Sequence, residues 1–409
     1  MKEFLTDIMN KSLEAARADK LLIPHLCNIK TDKQIKLIGI GKAANEMVKA
    51  CYDFFNEQIA ESLIICPDYS TDYHLPNCQR LVSAHPLPDE RSLQAGKNLV
   101  DCLKDKKDIF TLFLISGGGS SLVELLPDGL SLDMFRFLND QLLKAEVSIN
   151  DINCIRKHIS LIKGGRLLET IDPDNAFCFI LSDIFTGEHH NVASGLTFSD
   201  DSSLTDAQDI LKQYLPEEYS IYEEWLTETP KHVKNVPYHC IGDNEKLLQI
   251  IKKQFNEQNI PCEISPYRLA DYANMSGLNI GCMLYKFFKK REKPFALLFG
   301  GECLVKVKGE GRGGRCSELM LALSIELQFM PCISALCFTS DGHDGNAPSS
   351  GAFADHTSYQ RLISQHNGIF PEIYLKRNDT FSAFTIIGDS LSEQNTGTNM
   401  NDVLIVLFS

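Results

Sequence analysis

Three glycine-rich segments of the sequence carry residue types that bind anions. They are residues 39–44 (GIGKAA), residues 116–121 (SGGGSS) and residues 309–315 (GEGRGGR). Glycine lets backbone amides approach an anion closely, and the first turn of a helix adds unpaired N–H groups and a partial positive charge. Each segment stands between an apolar run and a helical pattern. We therefore expect three strand-to-helix turns at which an anion could bind.

The first segment is compatible with three interpretations. Gly39, Gly41 and Ala44 fit the GxGxxA pattern of dinucleotide-binding turns, whereas a Walker A loop needs four residues between its first glycine and its Gly-Lys pair. The same residues could form a tight turn without a ligand, or a mononucleotide or phosphate site. Lys42 favours phosphate chemistry, because dinucleotide loops rely on backbone donors.

The second segment predicts an anion site more directly. Its three successive glycines, Gly117, Gly118 and Gly119, each lose conformational entropy on folding, and packing alone does not explain that loss. The hydroxyl groups of Ser116 and Ser120 would add donors. The GxSxG pattern of a nucleophile elbow is absent, which argues against a hydrolase of that type.

The third segment places two arginines, Arg312 and Arg315, among four glycines at the start of a predicted helix. Arginine can hold a phosphate or a carboxylate with two parallel hydrogen bonds. Gly313 and Gly314 stand directly before Arg315. The segment therefore predicts anion binding, with a turn bearing solvated arginines as the simpler alternative.

A cationic stretch at residues 153–166 reads as a helix, and it includes Arg156, Lys157 and Lys163. A solvated basic face is its default interpretation. Two acidic residues are also candidates. Asp183, at the end of a predicted strand, could bind a metal, act as a base or cap a helix, and Asp341 opens a DGHDG stretch that by default is a turn.

Composition excludes some classes of protein. The formal net charge of −14 argues against nucleic acid or an anionic membrane as the main partner, although a small anion needs only a few local cations. The 14 cysteines form no CxxC pair, the start of the chain lacks the apolar core of a signal peptide, and no apolar run approaches a membrane span. We expect a cytoplasmic protein without disulfides.

The elements that must position these residues predict an α/β chain. Continuous apolar runs such as residues 110–115 and 295–299 read as strands of sheets that are covered on both faces, and helical patterns alternate with them. Residues 305–307 read as another strand. The polar segment 213–236, with two prolines, reads as a connection between domains.

Ten short segments in this order resemble the glycerate kinases of the MOFRL type, over nearly the whole chain from about Gly39 onward. The segments are GIGKA at 39–43, HPLPD at 85–89, SGGGS at 116–120, RKH at 156–158, KGGR at 163–166, Ser182-Asp183 with ASG at 193–195, GGE at 300–302, GRGGR at 311–315, DGHDG at 341–345 and TGTN at 396–399.

This resemblance implies an ATP- and Mg²⁺-dependent kinase that acts on D-glycerate and usually yields 2-phosphoglycerate. It implies an active site in the cleft between a Rossmann-like domain with a mainly parallel sheet (residues 1–230) and a MOFRL domain with a mixed sheet (residues 236–409). We expect each domain to have three α/β/α layers. Expected partners are D-glycerate and ATP, with neither nucleic acid nor membrane, and a homodimer stays open.

The family's important lysine and arginine fall on Lys42 and Arg315. We take these two and Asp183 as catalytic, and Asp183 and Asp341 as candidates for binding metal. The predicted substrate- or nucleotide-binding residues are Gly39, Gly41, His85, Ser116, Gly117, Gly118, Gly119, Ser120, Arg156, Lys157, Lys163, Gly313, Gly314 and Asp341.

Three departures from the family pattern fall near these residues. Cys316-Ser317 stands where the family usually has Asn-Gln, Leu196 replaces a proline, and residues 185–188 (FTGE) replace a Gly-Asp continuation. They put the identity of the hydroxy acid in question more than the type of reaction.

Two other functions stay open at this level. An NAD(P)-dependent hydroxypyruvate reductase is suggested by GxGxxA, although the nearest acid at a strand end, Asp68, lies further along than the expected 20 or so positions. A non-catalytic module that binds sugar phosphates would also use serine-rich loops on a parallel sheet.

Overall fold

A computed structural model describes residues 1–104, 108–184, 189–287, 293–365 and 368–409. The chain forms two compact units, one of residues 18–241 and one that joins residues 1–17 to residues 242–409. The predicted boundaries differ from these at the junction, since residues 236–241, predicted to begin the second domain, belong to the unit of residues 18–241. They also differ in the first helix, α1 (Lys2–Ala15). Its buried residues Leu5, Ile8 and Met9 belong to the unit that contains the C-terminus, where Phe4 meets the ring of Phe255 edge-on.

The unit of residues 18–241 is built on a six-stranded sheet in the order β3-β2-β1-β4-β5-β6. Its strands are β1 (Gln34–Ile40), β2 (Ile59–Cys66), β3 (Cys78–Val82), β4 (Ile109–Ser116), β5 (Ala176–Leu181) and β6 (Tyr238–Gly242). Its helices are α2 (Ala18–Leu26), α3 (Ala44–Phe55), α4 (Glu90–Lys104), α5 (Gly119–Leu122), α6 (Leu132–Lys144), α7 (Ile149–Ile159), α8 (Leu204–Tyr214) and α9 (Tyr219–Tyr222).

This sheet is parallel in the pairs β1–β2, β1–β4, β2–β3 and β4–β5. The strand order 3-2-1-4-5-6 is the one in which doubly wound folds bind ligands where the order reverses, between the first and fourth strands. Here that point lies between the carboxyl ends of β1 and β4, where Ile40 pairs with Ile115. Residues 39–44 and 116–121 therefore meet at one edge of the sheet.

The second unit contains a mixed six-stranded sheet in the order β11-β10-β9-β12-β8-β7. Its strands are β7 (Cys262–Ile264), β8 (Phe295–Gly301), β9 (Ile333–Thr339), β10 (Ser349–Asp355), β11 (Ser390–Ser392) and β12 (Asp402–Phe408). Its helices besides α1 are α10 (Asn244–Glu257), α11 (Ala273–Phe287), α12 (Arg315–Leu327), α13 (Ser358–Gln365), α14 (Pro371–Arg377) and α15 (Thr380–Ile386).

In this sheet β12 runs antiparallel to both β8 and β9, and only β7 and β8 form a parallel pair among the described strands. The fully apolar strands lie at the centre, and every residue of β8, β9 and β12 is buried. The predicted α/β class with a parallel first sheet and a mixed second sheet is confirmed. Among the described helices, none combines the length and apolar character that a bilayer crossing requires.

Two predicted elements were wrong. Residues 305–307 form no strand, because Val307 is 74% exposed and only Leu304 makes an isolated bridge, to Tyr272. The cationic stretch 153–166 is helical only as far as Ile159, after which the chain continues through a loop to a short 3-10 turn at residues 166–169.

Candidate active site

The turn after β1 uses its own backbone donors within the protein. The amide of Gly41 donates to Ile65 O (3.0 Å) and that of Lys42 to Gly117 O (3.0 Å). The amide of Ala43 donates to Ser116 Oγ (3.0 Å), and that of Ala44 to Gly41 O (3.3 Å). These bonds fix the turn to the neighbouring loop. They also leave it without the N–H groups that would hold a pyrophosphate.

Close packing explains the two glycines of this turn. Gly41 has a φ of +126°, and a Cβ atom there would lie 2.2 Å from Ser116 Oγ. A Cβ atom on Gly39 would lie 2.6 Å from Val48 Cγ2, on the helix that follows. Neither predicted binding residue therefore offers a backbone donor to a ligand here: the Gly41 amide is paired, and Gly39 lies within β1.

The loop after β4, in contrast to the turn after β1, has backbone amides that are not paired within the described part of the protein. Gly118 takes a left-handed conformation (φ +87°), and α5 begins at the next residue. Among the described residues, none accepts a hydrogen bond from the amides of Gly117, Gly118, Gly119 or Ser120. Unpaired amides at a turn of this kind are the donors that bind an anion.

Lys42 and His85 lie directly beside this loop. A Cβ atom on Gly118 would be 3.3 Å from Lys42 Cγ and 3.5 Å from two atoms of the His85 ring. His85 Nδ1 is hydrogen-bonded to Ser121 Oγ at 2.9 Å, which orients the ring. The sheet therefore brings the Lys42 side chain to a loop with open amides. We call Lys42, His85 and residues 116–120 the Lys42 cluster.

A third loop completes the polar surroundings of this cluster. Ala193, Ser194 and Gly195 all have positive φ values (52°, 56° and 71°), which is costly for the two residues that bear a Cβ atom. Ser194 Oγ lies 2.8 Å from Ser120 Oγ and donates to Asn153 Oδ1 (3.4 Å). Sequence reasoning named Ser120 but not Ser194 or Asn153. The signal for Ser194 was the ASG stretch within the family pattern.

The three cations predicted to bind ligand on the stretch 153–166 have different roles. Lys163 has no exposed surface, and its ammonium pairs with Glu124 and donates to Ser120 O (2.7 Å). Lys157 is 8% exposed and donates to Asn191 Oδ1 (2.9 Å) and Asp200 Oδ1 (3.2 Å). Both lysines are therefore engaged inside the protein. Arg156 is partly exposed, and only its Nε has a partner among the described residues.

Asp183 follows β5 by two residues and is half-buried. Leu181 at the end of β5 pairs with Ser116 at the end of β4, so Asp183 lies at the same edge of the sheet as the Lys42 cluster. Residues 185–188, which carry one departure from the family pattern, lie outside the described residues.

In the other unit, Arg315 opens α12 and is held by two carboxylates. Its Nε and Nη2 donate to the two oxygens of Asp402 (2.9 and 3.0 Å), and Nη1 donates to Glu302. Glu302 follows β8 and Asp402 begins the adjacent strand β12, where it pairs with Gly301. A guanidinium has five N–H groups, so two remain for another anion. We call Glu302, Arg315, Asp344 and Asp402 the Arg315 cluster.

Burial raises the pKa of Asp402 to about 7, against the attraction of Arg315. The charge of Glu302 raises it further. Neither carboxylate was predicted from the sequence, although a lone acid directly before the apolar run 403–408 was a signal for Asp402.

The N-terminus of α12 is capped by the protein itself. Asp344 is fully buried, and its two oxygens accept from the amides of Cys316 and Ser317, each at 2.9 Å. Burial raises the pKa of this carboxyl, and the hydrogen bonds from Ser317 and Cys316 oppose the rise. The predicted anion at this helix start is thus a side chain of the same chain.

Packing also accounts for the glycines before Arg315. The amide of Gly313 donates to Asn346 Oδ1 (2.9 Å), and that of Gly314 to Ser317 Oγ (3.0 Å). A Cβ atom on Gly313 would lie 2.2 Å from Thr380 Oγ1, and one on Gly314 would lie 2.3 Å from Asp344. These two predicted binding residues therefore shape the turn through close contacts, and their amides are already paired.

Asp341 forms a turn, which was its default interpretation. It is half-buried, and its Oδ1 accepts from the amide of His343 (3.1 Å). His343 Nδ1 lies 2.7 Å from Glu393 Oε1.

Two departures from the family pattern lie on buried side chains. Cys316 and Leu196 are each 1% exposed, and both belong to hydrophobic clusters. The Ser317 hydroxyl lies 2.8 Å from Thr380 Oγ1. These changes alter internal packing and leave no altered side chain on an accessible surface.

Comparisons with known proteins identify the family of the chain. Residues 4–223 match the model of a family described as a domain of unknown function, DUF4147, and residues 295–402 match that of the MOFRL family. The chain is 35% identical to a D-glycerate 2-kinase of Thermotoga maritima, over 100% of this chain and 98% of the relative.

A crystal structure of a glycerate kinase from Thermotoga maritima superposes with a TM-score of 0.88 at 33% identity, over 100% of this chain and 99% of the other. A relative from Agrobacterium vitis that bears a provisional name of hydroxypyruvate reductase is 30% identical, over 91% of this chain and 86% of the relative. With matches over both halves of the chain, this protein belongs to the MOFRL-type glycerate kinase family.

Proposed function

We propose that this protein transfers the γ-phosphate of ATP to D-glycerate and yields 2-phosphoglycerate and ADP. The observation that carries the proposal is the position of Lys42 beside a loop whose amides at residues 117–120 have no acceptor among the described residues. The name of the Thermotoga maritima relative, D-glycerate 2-kinase, supports the choice of substrate and of the 2-position.

In this mechanism the protein mainly positions the reactants and neutralises charge, as phosphoryl transfer requires. The open amides and the Ser120 hydroxyl bind phosphate oxygens. The Lys42 ammonium offsets the charge that develops on the transferring group. In a site that excludes water, preorganised donors of this kind can each lower the activation free energy by on the order of 3 kcal/mol.

Asp183 is our first candidate for orienting the acceptor hydroxyl or for binding Mg²⁺, with Asp341 second. A half-buried carboxylate fits Mg²⁺, which prefers oxygen ligands and is usually held by one or two carboxylates together with substrate phosphates. The ion would supply charge neutralisation to the phosphates. The protein's own part is to present the Asp183 carboxylate at the sheet edge that also carries the Lys42 cluster.

Arg315 is the second catalytic candidate. Unlike a flexible cationic side chain, its guanidinium is held in one position. The bonds to Asp402 and Glu302 fix the guanidinium plane, and two of its N–H groups remain for an anionic oxygen. We propose that it stabilises charge on a substrate or on the transferring group without having to move.

The reductase alternative is weakened by one observation. The amides of residues 41–44 are paired inside the protein, whereas a dinucleotide-binding turn uses such amides on the pyrophosphate. A sugar-phosphate-binding module could use the same open loop as a kinase. Such a module would bind sugar phosphates without turnover, whereas a kinase would release product.

The test is to incubate the protein with ATP, Mg²⁺ and D-glycerate, and then to add enolase without phosphoglycerate mutase. Formation of phosphoenolpyruvate is expected, because enolase accepts only the 2-phosphorylated product. ADP release without phosphoenolpyruvate would assign another acceptor position. No ADP release would remove the proposal, and NADPH oxidation with hydroxypyruvate would favour the reductase.

We also propose that the enzyme acts in the cytoplasm and needs neither nucleic acid nor a membrane as a partner. The cysteine usage, with 14 residues and no CxxC pair, supports a reducing compartment, and the net charge of −14 disfavours polyanionic partners.

A further inference from the structure

We propose that Arg156 binds the carboxylate of the acceptor substrate and so makes the enzyme select a hydroxy acid over a neutral polyol. This inference rests on the proposed function, because it names the residue that recognises the acid. It also predicts which hydroxyl is presented to the phosphate.

The guanidinium of Arg156 is fixed at one side and open at the other. Its Nε donates to Asn139 Oδ1 at 2.5 Å. Among the described residues, none accepts from Nη1 or Nη2, and neither atom is among the fully buried polar atoms without a partner. The two terminal nitrogens therefore form an accessible fork of the kind that binds a carboxylate with two parallel hydrogen bonds.

The nearby charges leave Arg156 without a carboxylate of its own. Glu124 is bonded to Lys163, Ser160 and the amide of Leu125. Asp200 is ion-paired with Lys157. Within the described part of the chain, neither acid is hydrogen-bonded to Arg156. Burial lowers the pKa of the guanidinium, so it is poorly hydrated and would gain strongly from an anionic partner.

The fork also lies near the Lys42 cluster. After burial, the charge of Arg156 is a further cause that lowers the pKa of Lys163, and the ammonium of Lys163 donates to Ser120 O. Arg156 and Asn153 are one turn apart on the same face of α7. Asn153 accepts from Ser194, whose hydroxyl lies 2.8 Å from that of Ser120 in the open loop. The accessible groups here are mostly donors, as an anion requires. A neutral substrate offers the Arg156 fork only uncharged oxygen acceptors, which bind a guanidinium more weakly than a carboxylate does.

This placement bears on which hydroxyl reacts. In D-glycerate the 2-hydroxyl is on the carbon next to the carboxylate, and the 3-hydroxyl is one carbon further away. A carboxylate held beside the phosphate-binding loop therefore presents the 2-hydroxyl first, in agreement with the proposed product.

The test compares Arg156→Met, Arg156→Lys and wild type on D-glycerate and on its neutral amide, D-glyceramide. Arg156→Met should lower kcat/KM for D-glycerate by roughly 100-fold while changing that for D-glyceramide less than about threefold, with KM for ATP unchanged. Arg156→Lys keeps the charge but loses the fork. Its kcat/KM for D-glycerate should lie between those of Arg156→Met and wild type. Arg136→Met, on the neighbouring helix with its Nε on Pro88 O, is the matched control and should behave as wild type.

Equal losses on both substrates, or full activity of Arg156→Met on D-glycerate, would overturn the inference. Calorimetric titration with D-glycerate alone tests the role of Arg156 separately from the proposed function. Weaker binding to Arg156→Met than to Arg136→Met supports the inference even if no turnover is found, and equal binding overturns it. If Arg156→Met does not fold, the same comparison with Arg156→Lys decides.

Discussion

The ammonium group of Lys163 donates to the carbonyl oxygen of Ser120 at 2.7 Å from a position with no solvent exposure. It also forms a fully buried ion pair with Glu124. Burial lowers the pKa of this lysine, and Glu124 opposes the shift. Lys163, which was predicted to bind ligand, is therefore a buried support for the loop at residues 116–120.

Lys163→Met should destabilise the protein by about 3–5 kcal/mol, because it leaves the buried Glu124 carboxylate without its cation. Chemical denaturation measures this. Lys163→Met combined with Glu124→Leu should recover most of the lost stability but not the activity, since Ser120 O still lacks its donor. The control is Lys49→Met, which removes a surface pair with Asp53 and should cost less than about 1 kcal/mol. A loss below 1 kcal/mol for Lys163→Met contradicts the assignment.

Lys42→Met should lower kcat by roughly 1000-fold with little change in the melting temperature, because it removes a cation that acts on the transferring phosphate. The coupled enolase assay and a thermal melt give the two readings. Lys49→Met, on the helix that follows the turn, serves again as the control. Near-full activity of Lys42→Met would exclude this lysine from the chemistry.

Gly118→Ala should lower kcat by more than its loss of protein stability explains. Its new Cβ atom would lie 3.3 Å from Lys42 Cγ, and displacement of a catalytic group can cost up to about 100-fold in rate. Gly388→Ala is the matched control, since Gly388 also has a positive φ (71°) but open space around it. In both variants, backbone strain should lower the free energy of unfolding by about 1 kcal/mol. Equal kcat values for the two would show that Gly118 does not position Lys42.

Asp402→Asn should change the pH dependence of stability. Burial raises the pKa of Asp402 to about 7, so the folded state holds this proton at pH values where the unfolded chain has lost it. The contribution of this carboxyl to the free energy of unfolding therefore falls as the pH rises from about 4 to about 7. Denaturation at several pH values should show that the fall is smaller in Asp402→Asn. Parallel curves for the two proteins would contradict the shift.

Local patterns were sufficient for much of the fold. The runs 110–115 and 295–299, which are apolar apart from Thr111, became the strands β4 and β8, because continuous apolar stretches must be covered on both faces. The strand β10, with the sequence SSGAFAD, was missed because small and polar residues give no periodic signal. Its position beside β9 comes from long-range pairing.

By itself, the sequence determined the class of the fold, the family and the positions of the glycine turns, because these depend on residue types at fixed spacing. Tertiary structure decided which turn can bind an anion. Three segments with similar glycine content differ in where their amides point: those of residues 41–44 are paired, the start of α12 is capped by Asp344, and those of residues 117–120 have no acceptor among the described residues. It likewise distinguished Arg156 from Lys157 and Lys163, because the acids that pair with the two lysines come from distant parts of the chain.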